Sequence, residues 1–568
     1  MKKLLFLVVA VVFAVSSAFA QVNYSTVDQL GFGNNAGVTQ VGWFNMSDVD
    51  QVGLWNMADV DQDGLWNISY IDQLGMLNSA GVTQAGVLNV SYVDQVLFFN
   101  NAVVNQLGLH NISRIMQFGL LNSAVVEQLG FFNMSYISQL GAFHDAMVWQ
   151  MGLLNMSSIA QYGLSNSAYV AQFGLANNST VTQGFFGNMA GVLQVGIGNS
   201  SSVLQMGMLS DALVNQFGYM NKASISQWYT KFAHAEIIQS GVMNMAQTLQ
   251  MFGKFNSAHI DQTGWFNMAK SEQFGGYANV TNITQHGAFN KAFSLQKKGE
   301  GNKAFIHQNG VANMASTFQY KGVNNTAKIN QDGWFNKART VQIDGANNLA
   351  TTTQDGVKNY AFVEQIHEYG GVVNVYQKGY KHFADVTQKY GVGDKAKVVQ
   401  RGDHQTAYVS QLYGTKNKAK IKQLDHGNTA IIDQIGGKKN SADIFQKGKH
   451  NFSFVGQFGG KKSDAFVNQN GNNNRGWVFQ FDQEESLADI LQNGDRNVAV
   501  IAQMDGMNNS ATIVQTGDDN TALTYQWGDN NTSFLEQIGN DHFGLVIQNG
   551  NENFAVTQQG NAGVVFSP

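Results

Sequence analysis

From Gln29 onward the polar and apolar positions recur in a fixed frame. Glutamine stands at Gln29, Gln40, Gln51, Gln62, Gln73, Gln84 and Gln95, then at every eleventh position to Gln227. After Gln239 the spacings 11 and 12 alternate to Gln515, and 11 returns through Gln526, Gln537, Gln548 and Gln559. All 48 positions of this frame carry Gln, so the repeat governs the fold. Each unit reads Q-x-G-x-x-N-x-[AS]-x-[VI]-x-Q, as from Gln40 through Gly42, Asn45, Ser47 and Val49 to Gln51. Asn45, Ser47, Val49 and Gln51 alternate with Met46, Asp48 and Asp50, the period of a β-strand with one buried face. The glycine two residues after each Gln marks a turn that needs positive φ.

A longer period lies inside the first. The small residue after each Asn alternates between Ala and Ser (Ala36, Ser47, Ala58, Ser69, Ala80) until Ala223 breaks the order. The true repeat is one coil of two strands. The expected fold is an all-β, two-sheet β-solenoid of about 24 coils of 22–23 residues, equivalent positions stacking at ~4.8 Å. Where the coil lengthens, the extra residue falls between Gln and Asn, so the strand and its inward register are kept. Inward Gln29, Gln40, Gln51, Gln62, Gln73, Gln84 and Gln95, with Asn45, Asn56, Asn67, Asn78 and Asn89, form the expected structural ladder. A lone buried amide is costly, but identical stacked amides can satisfy one another. Ladder breaks are expected at His144, Ser210, Phe232 and His382, which stand where Asn is due.

Composition supports this picture. The 568 residues include 61 Gly, no Cys and a single Pro at Pro568, as suits backbone donors committed to ladders. Charged residues make up 13 %, which excludes a charged disordered tail and a basic nucleic-acid binder. Residues 1–20 read as a secretory signal peptide: Lys2 and Lys3, an apolar Leu4 to Val15, and Ala18 and Ala20 at the cleavage site. The net charge of −5 becomes two units more negative without those lysines. Three segments follow. Residues 21–227 hold strict 11/22-residue repeats with apolar turns (Val41, Trp43, Phe44, Trp55, Trp66, Phe98, Phe99), expected to serve lateral packing or surface attachment. Residues 228–515 alternate 11 and 12 and are richer in Lys, as at Lys438, Lys439, Lys461 and Lys462. Residues 516–568 return to 11, and Val564-Val565-Phe566 looks like a further strand.

No catalytic constellation stands out. The 12 His residues are scattered and form no metal-binding motif. Asp28, Asp50, Asp72 and Asp94 fall in one column, a weak candidate for a hard cation or a solvated charge row; no other metal site and no cofactor is implied. Arg401-Gly402-Asp403 and the many Asn-x-Ser triplets arise from the repeat itself.

At these residues the chain resembles the curlin repeats of bacterial curli subunits. Gln216-Phe217-Gly218-Tyr219-Met220-Asn221-Lys222-Ala223 and Gln331-Asp332-Gly333-Trp334-Phe335-Asn336-Lys337-Ala338 match closely, and the resemblance covers about residues 29–559. It implies a non-enzymatic extracellular subunit, carried through the periplasm and an outer-membrane secretion pore. It further implies end-to-end and lateral self-association, with other curlin-like subunits, into amyloid fibres for adhesion and biofilm matrix. Ordinary subunits of that family carry about five repeats, far fewer than this chain. A preformed monomeric solenoid adhesin, or a fibre nucleator or anchoring minor subunit, is the alternative. Surfaces and matrix components are the remaining expected partners.

Overall fold

The structure, a computed structural model, describes residues 22–560. The signal peptide with Ala18 and Ala20, and the Val564–Phe566 strand, lie outside the described residues. Within them run 48 β-strands, from β1 (Tyr24–Phe32) to β48 (Phe554–Gly560), each carrying one glutamine of the frame. The chain divides into two compact units, one reaching Phe255 and including His259–Trp265, the other formed by Asn256–Ala258 and the chain from Phe266.

Each unit is a two-sheet β-solenoid. Odd-numbered strands pair in parallel with odd, even with even. In the first unit Tyr24 lies opposite Met46, Gln29 opposite Gln51 and Gln51 opposite Gln73, a step of one 22-residue coil. The step becomes 23 between Asp211 and His234, and in the second unit returns to 22 between Ser510 and Thr532. The extra residue always enters the corner that leads from an odd strand to an even one. There the regular ladder often shrinks to isolated bridges such as Thr415 with Lys438, and odd strands such as Thr406–Leu412 shorten from nine residues to seven.

The inward faces pack small and β-branched side chains. Val49, Ile71, Val93 and Ile115 in the odd strands, and Val60, Val82, Val104 and Val126 in the even ones, are fully buried. Each such side chain contributes ~1.5–3 kcal/mol, added coil by coil through neighbour contacts. The Ala/Ser alternation separates the sheets: Ser47, Ser69, Ser91 and Ser113 line the odd one and Ala58, Ala80, Ala102 and Ala124 the even one.

The corners differ from the expected glycine turn. Strand β3 (Met46–Leu54) runs straight through Gly53, which pairs with Gly31 and Gly75. Gly53 has φ 128°, and a Cβ there would sit 1.8 Å from the Gly75 carbonyl oxygen. Close approach of successive coils therefore requires this glycine. The left-handed turn residue is the one just before Asn, and it is seldom glycine: Phe44 (φ 58°), Trp55 (56°) and Trp66 (60°) are typical. That conformation costs roughly 1–2 kcal/mol. Stacking along the corner column offsets part of it, as between Phe44 and Trp66 at 4.3 Å between centroids.

The buried serine hydroxyls from Ser47 to Ser201 have no hydrogen-bond partner. Because Ala fills the equivalent place in the even strands, Ser113→Ala is expected to stabilise the protein by about 1 kcal/mol, read as a raised denaturation midpoint.

Candidate functional site

The glutamine ladder uses every atom of the amide. Gln73 Nε2 donates to Gln95 Oε1 at 2.8 Å and to the Met57 carbonyl at 2.9 Å, while its Oε1 receives Gln51 Nε2 at 2.7 Å. The second bond crosses to the opposite sheet, so each glutamine ties coil to coil and also sheet to sheet. Gln51, Gln62, Gln73, Gln84 and Gln95 are buried, Gln40 is half-buried, and Gln29 is exposed in the first coil.

Asparagines close the corners. Asn45 Oδ1 accepts from both the backbone N–H and the Nδ2 of Asn67 at 3.1 and 3.2 Å. Asn67 Nδ2 also reaches the Gly86 carbonyl at 3.1 Å. Asn56, Asn78 and Asn89 repeat the corner bond to the backbone. The side-chain links run in opposite senses: glutamine amides point toward the following coil, asparagine amides back toward the preceding one. Asn45 is buried, so the Asn45-Met46-Ser47 triplet offers no accessible glycosylation acceptor.

Several positions read as breaks are repaired. His144 Nδ1 accepts from the Asn166 N–H at 3.3 Å, and its Nε2 lies 3.3 Å from the Leu140 carbonyl, so a neutral ring takes the place of the amide. His382 does the same with Gln405 and Lys378. Burial holds both imidazoles below their ordinary range, which keeps that neutral form. Phe232 is not at an Asn position; the added residue puts Ala233 there, its carbonyl receiving the Asp211 N–H, and leaves Phe232 in the left-handed corner.

A compensation not visible from the frame appears three times. Where the Asn position holds Ala233, Gly371 or Ser486, the residue three after the preceding Gln carries a buried polar side chain, Thr230, Glu368 or Gln483, whereas Ser210 and Ser463 at that position bond through their own hydroxyls, to Thr230 Oγ1 and the Gln483 carbonyl. Gln483 Oε1 accepts from Ser486 Oγ and Asn509 Nδ2 at 2.9 and 3.0 Å. Glu368 accepts from the Gly391 and Asp394 N–H groups at 2.9 and 3.3 Å, and its side chain fills the space left open beside Gly371, where the repeat would place an asparagine amide. The signal was present in the sequence as a paired departure from the repeat.

The outward faces are uneven. Asp28, Asp50, Asp72 and Asp94 do stand in one row, in register. Burial and then neighbouring aspartates raise the carboxyls of Asp50 and Asp72 above their usual range; burial raises Asp94, with Arg114 3.8 Å away opposing it. Among the described residues no group of three or more His, Cys, Asp or Glu is arranged to hold a metal. The apolar turn residues Val41, Trp43, Phe44, Trp55, Trp66, Phe98 and Phe99 are exposed. Arg401 lies over the Tyr376 ring, and the Arg401-Gly402-Asp403 triplet belongs to a paired strand, Lys395–Asp403.

The curlin associated repeat matches residues 56–86, 345–371, 394–424, 437–471, 484–517 and 517–550. These segments are curlin repeats, which supports a place for the chain in the curlin-repeat family. Curlin repeats mark curli-type amyloid and fibre proteins, and the amide-lined two-sheet coil described above is what the matched segments build. No curated protein matches the chain.

Two outcomes follow for the ladder. Gln128→Ala removes bonds to Gln106, Gln150 and the Ile112 carbonyl. A loss on the order of 3 kcal/mol is expected in denaturant unfolding. The second concerns pH. Burial, then the nearby Asp394, pushes the Glu368 carboxyl from 4.5 to about 7, and burial pushes Asp394 from 3.8 to about 6. Between each pair of values the folded chain binds more protons than the unfolded one. Their contribution is therefore fully present below the lower value and lost as pH rises through the higher. Glu368→Gln with Asp394→Asn should raise stability on the order of 2 kcal/mol at pH 8 and change it little at pH 3.5, compared with the parent by thermal melting.

Proposed function

We propose that this protein is a secreted, non-enzymatic subunit of an extracellular curli-type fibre that serves adhesion and biofilm matrix. The observation that carries the reading is the pair of open coils. Among the described residues β1 and β2 (Asn35–Trp43) are paired on one side only, as are β47 (Phe543–Asn549) and β48. Such edges present unpaired backbone donors and acceptors to another chain. Their amides are complementary. Among the described residues Gln29 donates to Gln51 and receives no amide, whereas Gln548 and Gln559 receive amides from Gln526 and Gln537 and donate to no further glutamine. Both terminal coils have the 22-residue step, so a second copy can stack head-to-tail without a change of register. The exposed aromatic corners of the first unit suit lateral packing or attachment to a surface.

Secretion rests on the leader ending at Ala18-Phe19-Ala20, and passage through an outer-membrane pore on the family resemblance. The alternative subunit role, a nucleator or anchoring minor component, uses the same open coils.

Each coil already has the strand spacing of a fibre, so growth must be read from particle length and its dependence on concentration. Val556 N–H lies on the open side of β48, as the alternation of ladder bonds requires. Val556→Pro removes that donor alone. Mature protein diluted from denaturant is expected to form lengthening fibres by electron microscopy, with Val556→Pro elongating at least tenfold more slowly at an unchanged melting temperature. Parent protein that stays monodisperse at every concentration, or a variant that elongates normally, would refute end-to-end growth.

A further inference from the structure

The second unit carries a groove that fibre growth does not use. Along one odd-to-even corner the left-handed position is held in successive coils by Gly370, Gly393, Lys416 and Lys439. The two glycines leave a notch where a side chain would stand. The first outward residues of the following strands include Lys395 and Lys418, directly opposite one another in register. Together these residues line a groove of about 450 Å³ with four exposed ammonium groups.

These lysines are not neutralised within the described residues. Some surface lysines of the second unit do find partners: Lys378 meets Asp355 at 3.0 Å, Lys389 meets Glu364 at 2.6 Å, and Lys461 and Lys462 meet Glu484 and Glu485 at 2.6 Å each. Lys395, Lys416, Lys418 and Lys439 form no ion pair. Asp464 feels the charge of Lys418 without forming an ion pair with it, Asp443 is paired with Lys420 at 2.5 Å, and Asp394, next to Gly393, is buried. Lys395 and Lys418 repel across one rung, as do Lys416 and Lys439, and a bound anion relieves that repulsion.

We propose that this groove binds a linear acidic polysaccharide, a polymer with one carboxylate per sugar ring, lying along the stack of coils. Its charges repeat at an interval comparable to the rung spacing of ~4.8 Å. Duplex DNA, by contrast, places a charge every ~1.7 Å around a wide cylinder that a narrow notch does not fit. Flat apolar faces for the sugar rings are close by: Tyr369 precedes Gly370, and Tyr390 and Tyr413, stacked at 5.1 Å, occupy the same corner, all three exposed. The proposal does not depend on polymerisation, since every residue named lies in one unit of one chain.

The test uses freshly diluted monomeric mature protein on a surface of immobilised polygalacturonate. Binding is expected at low salt and should weaken at least tenfold between 50 and 200 mM salt, given about four displaced counterions. The variant combining Lys395→Gln, Lys416→Gln, Lys418→Gln and Lys439→Gln should lose at least tenfold in affinity with an unchanged circular dichroism spectrum. Lys461→Gln with Lys462→Gln, which removes already paired charges, should lose less than twofold. Equal losses in the two variants, or no binding by the parent, would overturn the assignment. So would binding of duplex DNA or inorganic polyphosphate that is as tight and as dependent on the same four lysines.

Discussion

A primary amide buried between two sheets has two N–H groups and a carbonyl that all need partners. Leaving one unmade costs about 1–3 kcal/mol. In this protein the requirement is met only because the neighbouring coil presents the same amide in the same place. Gln73 is satisfied by Gln51 and Gln95 and by one carbonyl of the facing strand. The 22- and 23-residue coils, the parallel pairing and the placing of the one-residue shift after Met206 outside the glutamine rung all follow from keeping that alignment. A strand displaced by one residue would turn its glutamine to solvent and leave two others without partners.

Because the requirement is local, the interior tolerates replacements that preserve the bonds and not the residue. His144 and His382 reproduce an asparagine with a neutral ring. Thr230, Glu368 and Gln483 bring a side chain from the corner into a place that a smaller residue has vacated. The glutamines have no such substitutes, since no other side chain spans from its own rung to both the next rung and the opposite sheet. The outer face carries no comparable demand. One unit can therefore show aromatic corners and the other lysine-rich ones over the same interior, and surface chemistry can vary while the coil stays constant.

The same logic bears on assembly. A stack whose every rung is completed by its neighbour leaves its first and last rungs incomplete, with donors at one end and acceptors at the other. The segments that match the curlin repeat build the interior that creates this condition.

Much of this was legible in the residues alone. The glutamine frame defined the strands, their inward faces, the coil length and the place of its extra residue, because a period of two and a stack of identical side chains leave almost no other solution. The sequence could not distinguish the two tasks of the corner. Gly53 is needed for the approach of successive backbones, and the left-handed bend falls on Phe44 or Trp55, which no propensity favours there. It also hid the glutamine bond across to the facing sheet, the opposite sense of the two ladders, and the lysine groove. These depend on which residues from separate coils come to lie side by side, and that is decided by stacking in three dimensions and not by spacing along the chain.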